Sequence, residues 1–174
     1  MKEDVSAENR TSGARTDAWI LSRALGAALR IKGLTISTAE SCTGGLIAHY
    51  MTMVAGSSAY FKGSVVAYCN SVKCGVLGVP AEVIDSVGAV SRATVESMCC
   101  GVASLMSADC AIATSGIAGP GGGTPDKPVG TVWVAVKCGD RVESECYHLP
   151  GTRDRVIDRA TTNVLCKLIK MLAE

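Results

Sequence analysis

The segment LTISTAESCTGGLIAHYMTMVAG (residues 34–56) carries the unit from which the fold is built. Its opening LTIST is short, rich in β-branched residues and preceded by Gly33, a pattern that predicts a buried strand. The residues that follow the Gly44–Gly45 pair bring apolar side chains at helical spacing and predict a helix. Ser41 and Cys42 therefore lie at a strand-to-helix corner.

The chain on either side of this unit continues as helices and strands. GSVVAYC and DCAIATSG predict two more buried strands, and an alternating stretch centred on Gly139–Asp140 predicts a hairpin. PAEVIDSVGAV predicts a single helical turn and a loop. Amphipathic runs that follow capping residues predict the other helices. Their predicted starts are Thr16–Asp17 for the first helix, Cys42 for the second, Asn70 for the short third, Ser91 for the long central helix and Thr152 for the closing one.

This order of elements predicts an α/β fold in a single domain. The early strand–helix units require parallel strands with helices on both faces, while the hairpin requires antiparallel pairing. We therefore expect a three-layer α/β/α sandwich with a mixed, mostly parallel sheet of about five strands. We expect residues 16–174 to form this domain and the polar residues 1–15 to form a flexible N-terminal tail.

Composition limits the classes of function. Apolar residues make up 48% of the chain and charged residues 19%, which is typical of a globular protein. A formal charge of +1 provides no field that attracts nucleic acid. No secretory leader or membrane span is recognisable, so we expect a cytoplasmic protein without membrane or nucleic acid partners. Nine cysteines without a CxxC pair favour reduced thiols and no metal site.

The carboxyl ends of the parallel strands meet at one edge of the predicted sheet, where α/β proteins bind ligands. Ser41 lies at this edge, and its spacing alone favours a helix cap over a nucleophile. Neither of the two histidines lies near the edge, so Lys73 is the best-placed base, with Tyr68 as a proton relay. Spacing alone nevertheless favours an exposed surface lysine for Lys73 and an ordinary strand aromatic for Tyr68. Cys42 is the weaker nucleophile candidate because no histidine partners it.

The loop SGIAGPGGGTPDKP (residues 115–128) has five glycines and three prolines between two strands. It matches neither G-x-G-x-x-G nor G-x-x-x-x-G-K-[ST], so it predicts no dinucleotide or Walker site. Its backbone amides are suited to an anion nest, with Ser115, Thr124 and Lys127 as additional donors. A rigid crossover or a subunit contact is the alternative interpretation.

Two arginines near the start of the closing helix are unusual, because cations oppose the helix dipole at that end. Arg153 and Arg155 could bind an anion at the same edge of the sheet. Ion pairs with Asp154 or Asp158 are the simpler interpretation.

The motifs TAESCTGG, SSAYFKGSVVAYCNSVK and SGIAGPGGGTPDKPVGTVW, in this order and spacing, resemble the CinA C-terminal domain family. The resemblance runs from Ala18 to the end of the chain, and the family's enzymatic members are the PncC-type nicotinamide-nucleotide amidohydrolases. It implies a CinA-like, anticodon-binding-domain-like fold and deamidation of nicotinamide mononucleotide to nicotinate mononucleotide and ammonia, in pyridine-nucleotide salvage. It also implies a small-molecule nucleotide as partner, a homo-oligomer, and no metal or cofactor.

The family motifs also assign roles to residues. Ser41 is the implied nucleophile, with Lys73 and Tyr68 as its proton-handling partners. Amides of the corner would hold the oxyanion and the glycine loop the 5′-phosphate. Glu40 is expected to shape the corner or to bind substrate. The implied substrate-binding set is Glu40, Cys42, Thr43, Gly44, Gly45, Ser115, Gly116, Gly119, Gly121, Gly122 and Thr124.

Two other functions remain open at this point. One is a catalytically silent nucleotide-binding or assembly module of the competence/damage-inducible CinA type. The other is an interaction protein that serves DNA uptake or repair, against which the near-neutral charge argues.

Overall fold

Five strands and six helices make up residues 17–174, the part of the chain described by the structure, a computed structural model. The predicted tail (residues 1–15) and the predicted cap Thr16 lie outside these residues. The strands are β1 (Ile36–Glu40), β2 (Phe61–Val66), β3 (Cys110–Gly116), β4 (Thr131–Cys138) and β5 (Arg141–His148). The helices are α1 (Asp17–Lys32), α2 (Leu46–Thr52), α3 (Asn70–Gly75), α4 (Ala81–Val87), α5 (Arg92–Met106) and α6 (Arg153–Ala173), and a short 3-10 turn, Ser57–Ala59, precedes β2.

The strands form one sheet in the order β2-β1-β3-β4-β5. β1 pairs in parallel with β2 and β3, whereas β4 pairs antiparallel with β3 and β5. The mixed five-stranded sheet of the prediction is thus present. Glu40, the last residue of β1, is level with Val66 of β2 and Thr114 of β3, so the carboxyl ends of the three parallel strands share one edge.

Helices cover both faces of the sheet, which confirms the three-layer arrangement. On one face, α1, α2 and α6 pack on large strand residues such as Ile36 and Ile112. On the other face, α5 packs on small residues such as Ala39 and Ala111. The small side chains let α5 lie close to the sheet, because strand residues alternate between the two faces.

The structure corrects three predicted helix bounds. Asn70 does not cap α3, because it is the first residue of the helix and the N-cap position is Cys69. α4 has seven residues rather than a single turn. α2 begins at Leu46, so the corner before it is a turn and not the first helical turn. Ser91 does cap α5, and its hydroxyl accepts the Thr94 N–H at 3.3 Å.

Within residues 17–174, no group of three or more histidine, cysteine or acidic side chains is placed to hold a metal ion. None of the helices in this part of the chain combines the length and apolar character needed to cross a bilayer.

Candidate active site

Glu40 holds the corner that carries Ser41. Its side chain is fully buried, and its carboxylate accepts backbone N–H groups from Gly45 at 3.0 Å, Ile47 at 3.1 Å and Ala48 at 2.8 Å. The Thr43 hydroxyl donates to the same carboxylate at 2.8 Å. Glu40 therefore satisfies the free amides at the start of α2, the role that spacing favours for Ser41. Of its two expected roles, the structure supports shaping the corner, since a fully buried carboxylate is not available to a ligand.

Backbone bonds fix Ser41 between the neighbouring strands. Its N–H donates to the Thr114 carbonyl of β3 at 3.0 Å, and the Glu40 carbonyl accepts the Ala67 N–H at 2.8 Å on the β2 side. Gly44 and Gly45 both have positive φ, 61° and 101°. That conformation favours glycine, and it turns the chain from the strand into α2. The serine hydroxyl is thus presented by a turn that the rest of the sheet holds in place.

Ser41 and Lys73 are in direct contact. The distance from Lys73 Nζ to Ser41 Oγ is 3.1 Å, and the ammonium also donates to the Ala67 carbonyl at 2.8 Å. Both side chains are buried, with exposed fractions of 8% for the serine and 2% for the lysine. An exposed surface lysine, the alternative left open by the sequence, is excluded.

Burial lowers the pKa of Lys73 below its ordinary value, because the charged form loses its hydration. The nearby thiols of Cys69, Cys42 and Cys74 oppose this effect and do not outweigh it. Lys73 is the fourth residue of α3, so it does not open the helix, and desolvation rather than a helix end accounts for the shift. A lowered pKa increases the neutral fraction of the amine, and only the neutral amine can accept the serine proton.

Cys42 lies beside this pair but is not equipped to be the nucleophile. Its side chain is 5% exposed, and burial raises its pKa to about 12. The thiol is therefore protonated at neutral pH, whereas the thiolate is the reactive form. The backbone N–H groups of Cys42 and Thr43 donate to no backbone carbonyl within residues 17–174. The Thr43 side chain points into the protein, where its hydroxyl bonds Glu40 and Thr114.

Ser41 and Lys73 open into a crevice of about 250 Å³ at the carboxyl edge of the parallel strands. The walls come from the corner, the segment after β2, the segment before α5, the start of the glycine loop and the start of α6. The lining residues are Ser41, Cys42, Tyr68, Asn70, Lys73, Ala89, Val90, Ser115, Gly116, Ala118 and Arg153. This set contains two cationic side chains and no carboxylate.

Tyr68 and Arg153 form the mouth of the crevice. Tyr68 lies two residues beyond the end of β2, and its side chain is 62% exposed. Its hydroxyl accepts a hydrogen bond from Arg153 Nη2 at 2.8 Å, while Arg153 Nη1 donates to the Gly119 carbonyl at 2.8 Å. The guanidinium thus links α6, the glycine loop and the segment that carries Tyr68.

Only the first part of the glycine loop reaches the crevice. Ser115 and Gly116 line it, and the Ser115 hydroxyl donates to the Ala89 carbonyl at 2.7 Å. Gly119 contributes through the carbonyl that holds Arg153. Gly121, Gly122 and Thr124 are exposed and are not among the lining residues. The structure does not bring these three predicted residues to the site.

The bonding partners of Lys127 and Arg153 differ from those expected from the sequence. The Lys127 ammonium donates to the Val87 carbonyl at 2.7 Å, so it fastens the loop to the end of α4. Arg153 has no ion pair with Asp154 or Asp158; the ion pairs of residues 17–174 all involve Arg141 or Lys167. The feature of the sequence that indicates a role for Arg153 is its positive charge at a helix N-terminus, where a cation is unfavourable.

Asn70, Ala89 and Val90 line the crevice and were not predicted to do so. Asn70 follows Tyr68 by two residues in a recognised motif, a spacing that could have indicated it. The GAVS segment (residues 88–91) shares the family resemblance, but its apolar Ala89 and Val90 carry no chemical group that indicates a role in the site.

A larger cleft of about 420 Å³ lies between β5 and α6. Lys167 lines it and pairs with Glu143 at 3.4 Å and with Glu145 at 3.2 Å. Lys167 and these two carboxylates thus pair with each other, and Ser41 and Lys73 are not among the lining residues of the cleft. The smaller crevice is the candidate active site.

Comparison with known sequences gives the family of this site. The CinA C-terminal domain matches residues 20–172. A CinA-like protein of Cytophaga hutchinsonii is 46% identical over 154 residues, which are 88% of this chain and 37% of that protein. A CinA-like protein of Mycolicibacterium gilvum is 49% identical over 144 residues, 82% of this chain and 34% of that protein. The chain therefore spans little more than a third of the length of these relatives.

Solved structures with the same fold match over nearly their whole length. A competence/damage-inducible protein from Agrobacterium tumefaciens superposes with a TM-score of 0.88 at 39% identity, over 92% of this chain and 98% of that one. A competence damage-inducible protein A from Klebsiella pneumoniae gives a TM-score of 0.87 at 36% identity, over 90% and 98% of the two chains.

Proposed function

The chain belongs to the CinA C-terminal domain family, and from this premise we propose that it is an amidohydrolase that converts nicotinamide mononucleotide into nicotinate mononucleotide and ammonia. The observation that carries the proposal is the contact of 3.1 Å between the buried Ser41 hydroxyl and the buried Lys73 amine at a ligand-sized crevice. A serine needs an adjacent base to become a nucleophile, and a lysine serves as that base when burial lowers its pKa.

The first half of the reaction forms an acyl-serine. Ser41 Oγ attacks the carbonyl carbon of the nicotinamide group, and its proton passes to neutral Lys73. The carbonyl oxygen becomes an oxyanion, for which we assign the N–H groups of Cys42 and Thr43 as donors, because neither donates to a backbone carbonyl within residues 17–174. Of the two residues, Cys42 is the one that lines the crevice. The tetrahedral intermediate then collapses, the carbon–nitrogen bond breaks, and the proton held by Lys73 reaches the departing amine to give ammonia.

The second half releases the acid. Lys73 removes a proton from a water molecule, the water oxygen attacks the acyl carbon, and the ester bond to Ser41 breaks. The product is nicotinate mononucleotide, and the serine regains its proton. Tyr68 lies at the mouth of the same crevice, and its hydroxyl accepts a hydrogen bond from Arg153. In this mechanism Tyr68 assists the transfer of the proton to the departing amine of the first half-reaction.

Ammonia release from nicotinamide mononucleotide tests the proposal. We expect steady release by the wild-type protein and a loss of about 10⁴-fold or more in the Ser41→Ala variant, because the nucleophile is removed. Ser86→Ala is the matched control, since Ser86 is an exposed serine on α4 outside the crevice. Full activity in Ser41→Ala would contradict the mechanism. Binding of the nucleotide without ammonia release, measured as a thermal shift, would instead support a silent nucleotide-binding module.

A further inference from the structure

Arg153 is the permanently charged side chain of the crevice lining. Among the described residues that line the crevice there is no aspartate or glutamate, and the basic side chains are Lys73 and Arg153. Burial lowers the pKa of Lys73 and so increases the fraction of its amine that is neutral. A guanidinium, in contrast, keeps its proton under all physiological conditions. The lining formed by residues 17–174 therefore places a permanent cation at the mouth of the crevice and contributes no carboxylate.

The partners of Arg153 leave this charge available. Its two hydrogen bonds go to the Gly119 carbonyl and the Tyr68 hydroxyl, both of which are neutral acceptors, at 2.8 Å each. Of the five N–H groups of a guanidinium, three remain for a ligand. The two bonds also fix the plane of the group between the loop and the segment after β2, so little side-chain entropy is lost when a ligand binds.

We infer that Arg153 binds the phosphate group of the substrate and makes the site selective for the nucleotide over the unphosphorylated nucleoside. This inference rests on the proposed function and names the group that recognises one end of its substrate. With the amide at Ser41 inside the crevice, the phosphate lies toward the mouth, where a planar fork of charged donors suits phosphate oxygens.

The apex of the glycine loop (residues 121–124) is a poorer candidate for binding the phosphate. The Thr124 N–H donates to the Lys127 carbonyl at 2.9 Å, and the Lys127 ammonium is bonded to Val87. Gly121 and Gly122 lie outside the crevice lining. The loop contributes instead through the Gly119 carbonyl, which orients the guanidinium.

Kinetics with two substrates test the selectivity. The Arg153→Met variant keeps most of the side-chain length and removes the charge. For this variant we expect the ratio of kcat/KM for nicotinamide mononucleotide to that for nicotinamide riboside to fall by about 30-fold. The change in this ratio should come from KM, because the phosphate does not change during the reaction, whereas any effect of the lost bond to Tyr68 is common to both substrates. Arg155→Met is the matched control, since Arg155 lies on the same exposed helix end but outside the crevice, and the ratio should be unchanged. An unchanged ratio in Arg153→Met would overturn the inference.

Binding of ribose 5-phosphate separates this inference from the proposed function. Calorimetry with Ser41→Ala and with Ser41→Ala/Arg153→Met does not depend on amide hydrolysis. Weaker binding of ribose 5-phosphate by the double variant supports the role of Arg153, whether or not the wild-type protein releases ammonia. The absence of ammonia release would reject only the proposed function. If Ser41→Ala and Ser41→Ala/Arg153→Met have the same thermal unfolding midpoint and bind ribose 5-phosphate with equal affinity, the inference is overturned. Arg153→Lys keeps the charge without the fork and should bind with intermediate affinity.

Discussion

The corner after β1 and the loop after β3 are two glycine-containing turns at the same edge of the sheet, and they differ in how their polar groups are used. In the corner, residues 41–43 are buried, and the Glu40 carboxylate collects three backbone N–H groups and the Thr43 hydroxyl. In the loop, residues 120–126 are exposed. The loop is held at a few points, among them Lys127 on Val87 and Gly119 on Arg153.

In the proposed mechanism, this difference separates the nucleophile and its base, which belong to or contact the corner, from the residues that only line the crevice. A nucleophile and its base must be held at a fixed distance in surroundings that exclude water, and the corner provides both conditions. The loop supplies only Ser115, Gly116 and Ala118 to the crevice. Glycine content alone therefore does not identify which turn does the chemistry.

The largest effect is expected from Lys73, the proposed base beside the corner. Lys73→Met should lower kcat/KM about 10³-fold, because within residues 17–174 Lys73 is the basic side chain that bonds the Ser41 hydroxyl. In the wild type, kcat/KM should rise with pH and level off, since the reaction needs the neutral amine. Because burial lowers the pKa of Lys73, the midpoint should lie below the ordinary lysine value of 10.5. Steady-state kinetics across the pH range in which the protein stays folded provide the measurement.

Lys62→Met is the control for this variant. Lys62 is an exposed lysine on β2 and is absent from the crevice. It should leave both the rate and the pH profile unchanged. A pH profile that persisted in Lys73→Met with full amplitude would show that another group is the base.

A smaller effect, on stability rather than on rate, is expected from Glu40. In Glu40→Gln, one acceptor oxygen becomes a donor that faces a backbone N–H of α2, so at least one buried amide loses its partner. The free energy of unfolding should fall by about 3 kcal/mol, as measured by denaturant titration. Glu82→Gln, at an exposed position on α4, should change it by less than about 0.5 kcal/mol. Wild-type stability together with lost activity would assign Glu40 to the substrate instead of the corner.

The fold was accessible from the sequence because its signals are local. Strand and helix periodicity, the Ser91 cap and the Gly139–Asp140 turn each lie within a few residues, and they predict the order of the elements correctly. The bounds are less accurate: the predicted strand GSVVAYC extends three residues beyond the end of β2 at Val66, and three helix bounds needed correction. The Ser41–Lys73 contact joins residues 32 positions apart, and spacing alone left both as ordinary surface or capping residues. For that pair, the family motifs supplied what local pattern could not.

The rest of the site depends on tertiary packing. The burial of Lys73 depends on how α3 packs against the corner, and the contact between Arg153 and Tyr68 spans 85 residues. The glycine loop misled the prediction in a different way. Its composition indicates unusual backbone conformations, but it does not indicate which of the loop residues face the crevice.

The smallest effect is expected from the loop apex, where Gly121→Ala should leave KM for nicotinamide mononucleotide unchanged within about twofold. A Cβ atom at Gly121 meets nothing within 4 Å, and its φ is not positive, so neither a clash nor backbone strain accompanies the change. Gly116→Ala is the contrasting variant, because a Cβ there lies 2.7 Å from the Val132 side chain and 2.9 Å from the Thr131 carbonyl. It should disturb β3 at the crevice wall and raise KM. A large rise in KM for Gly121→Ala at unchanged stability would mean that residues 121–124 of the loop contact the bound nucleotide. The contrast between corner and loop would then not extend to the complex with substrate.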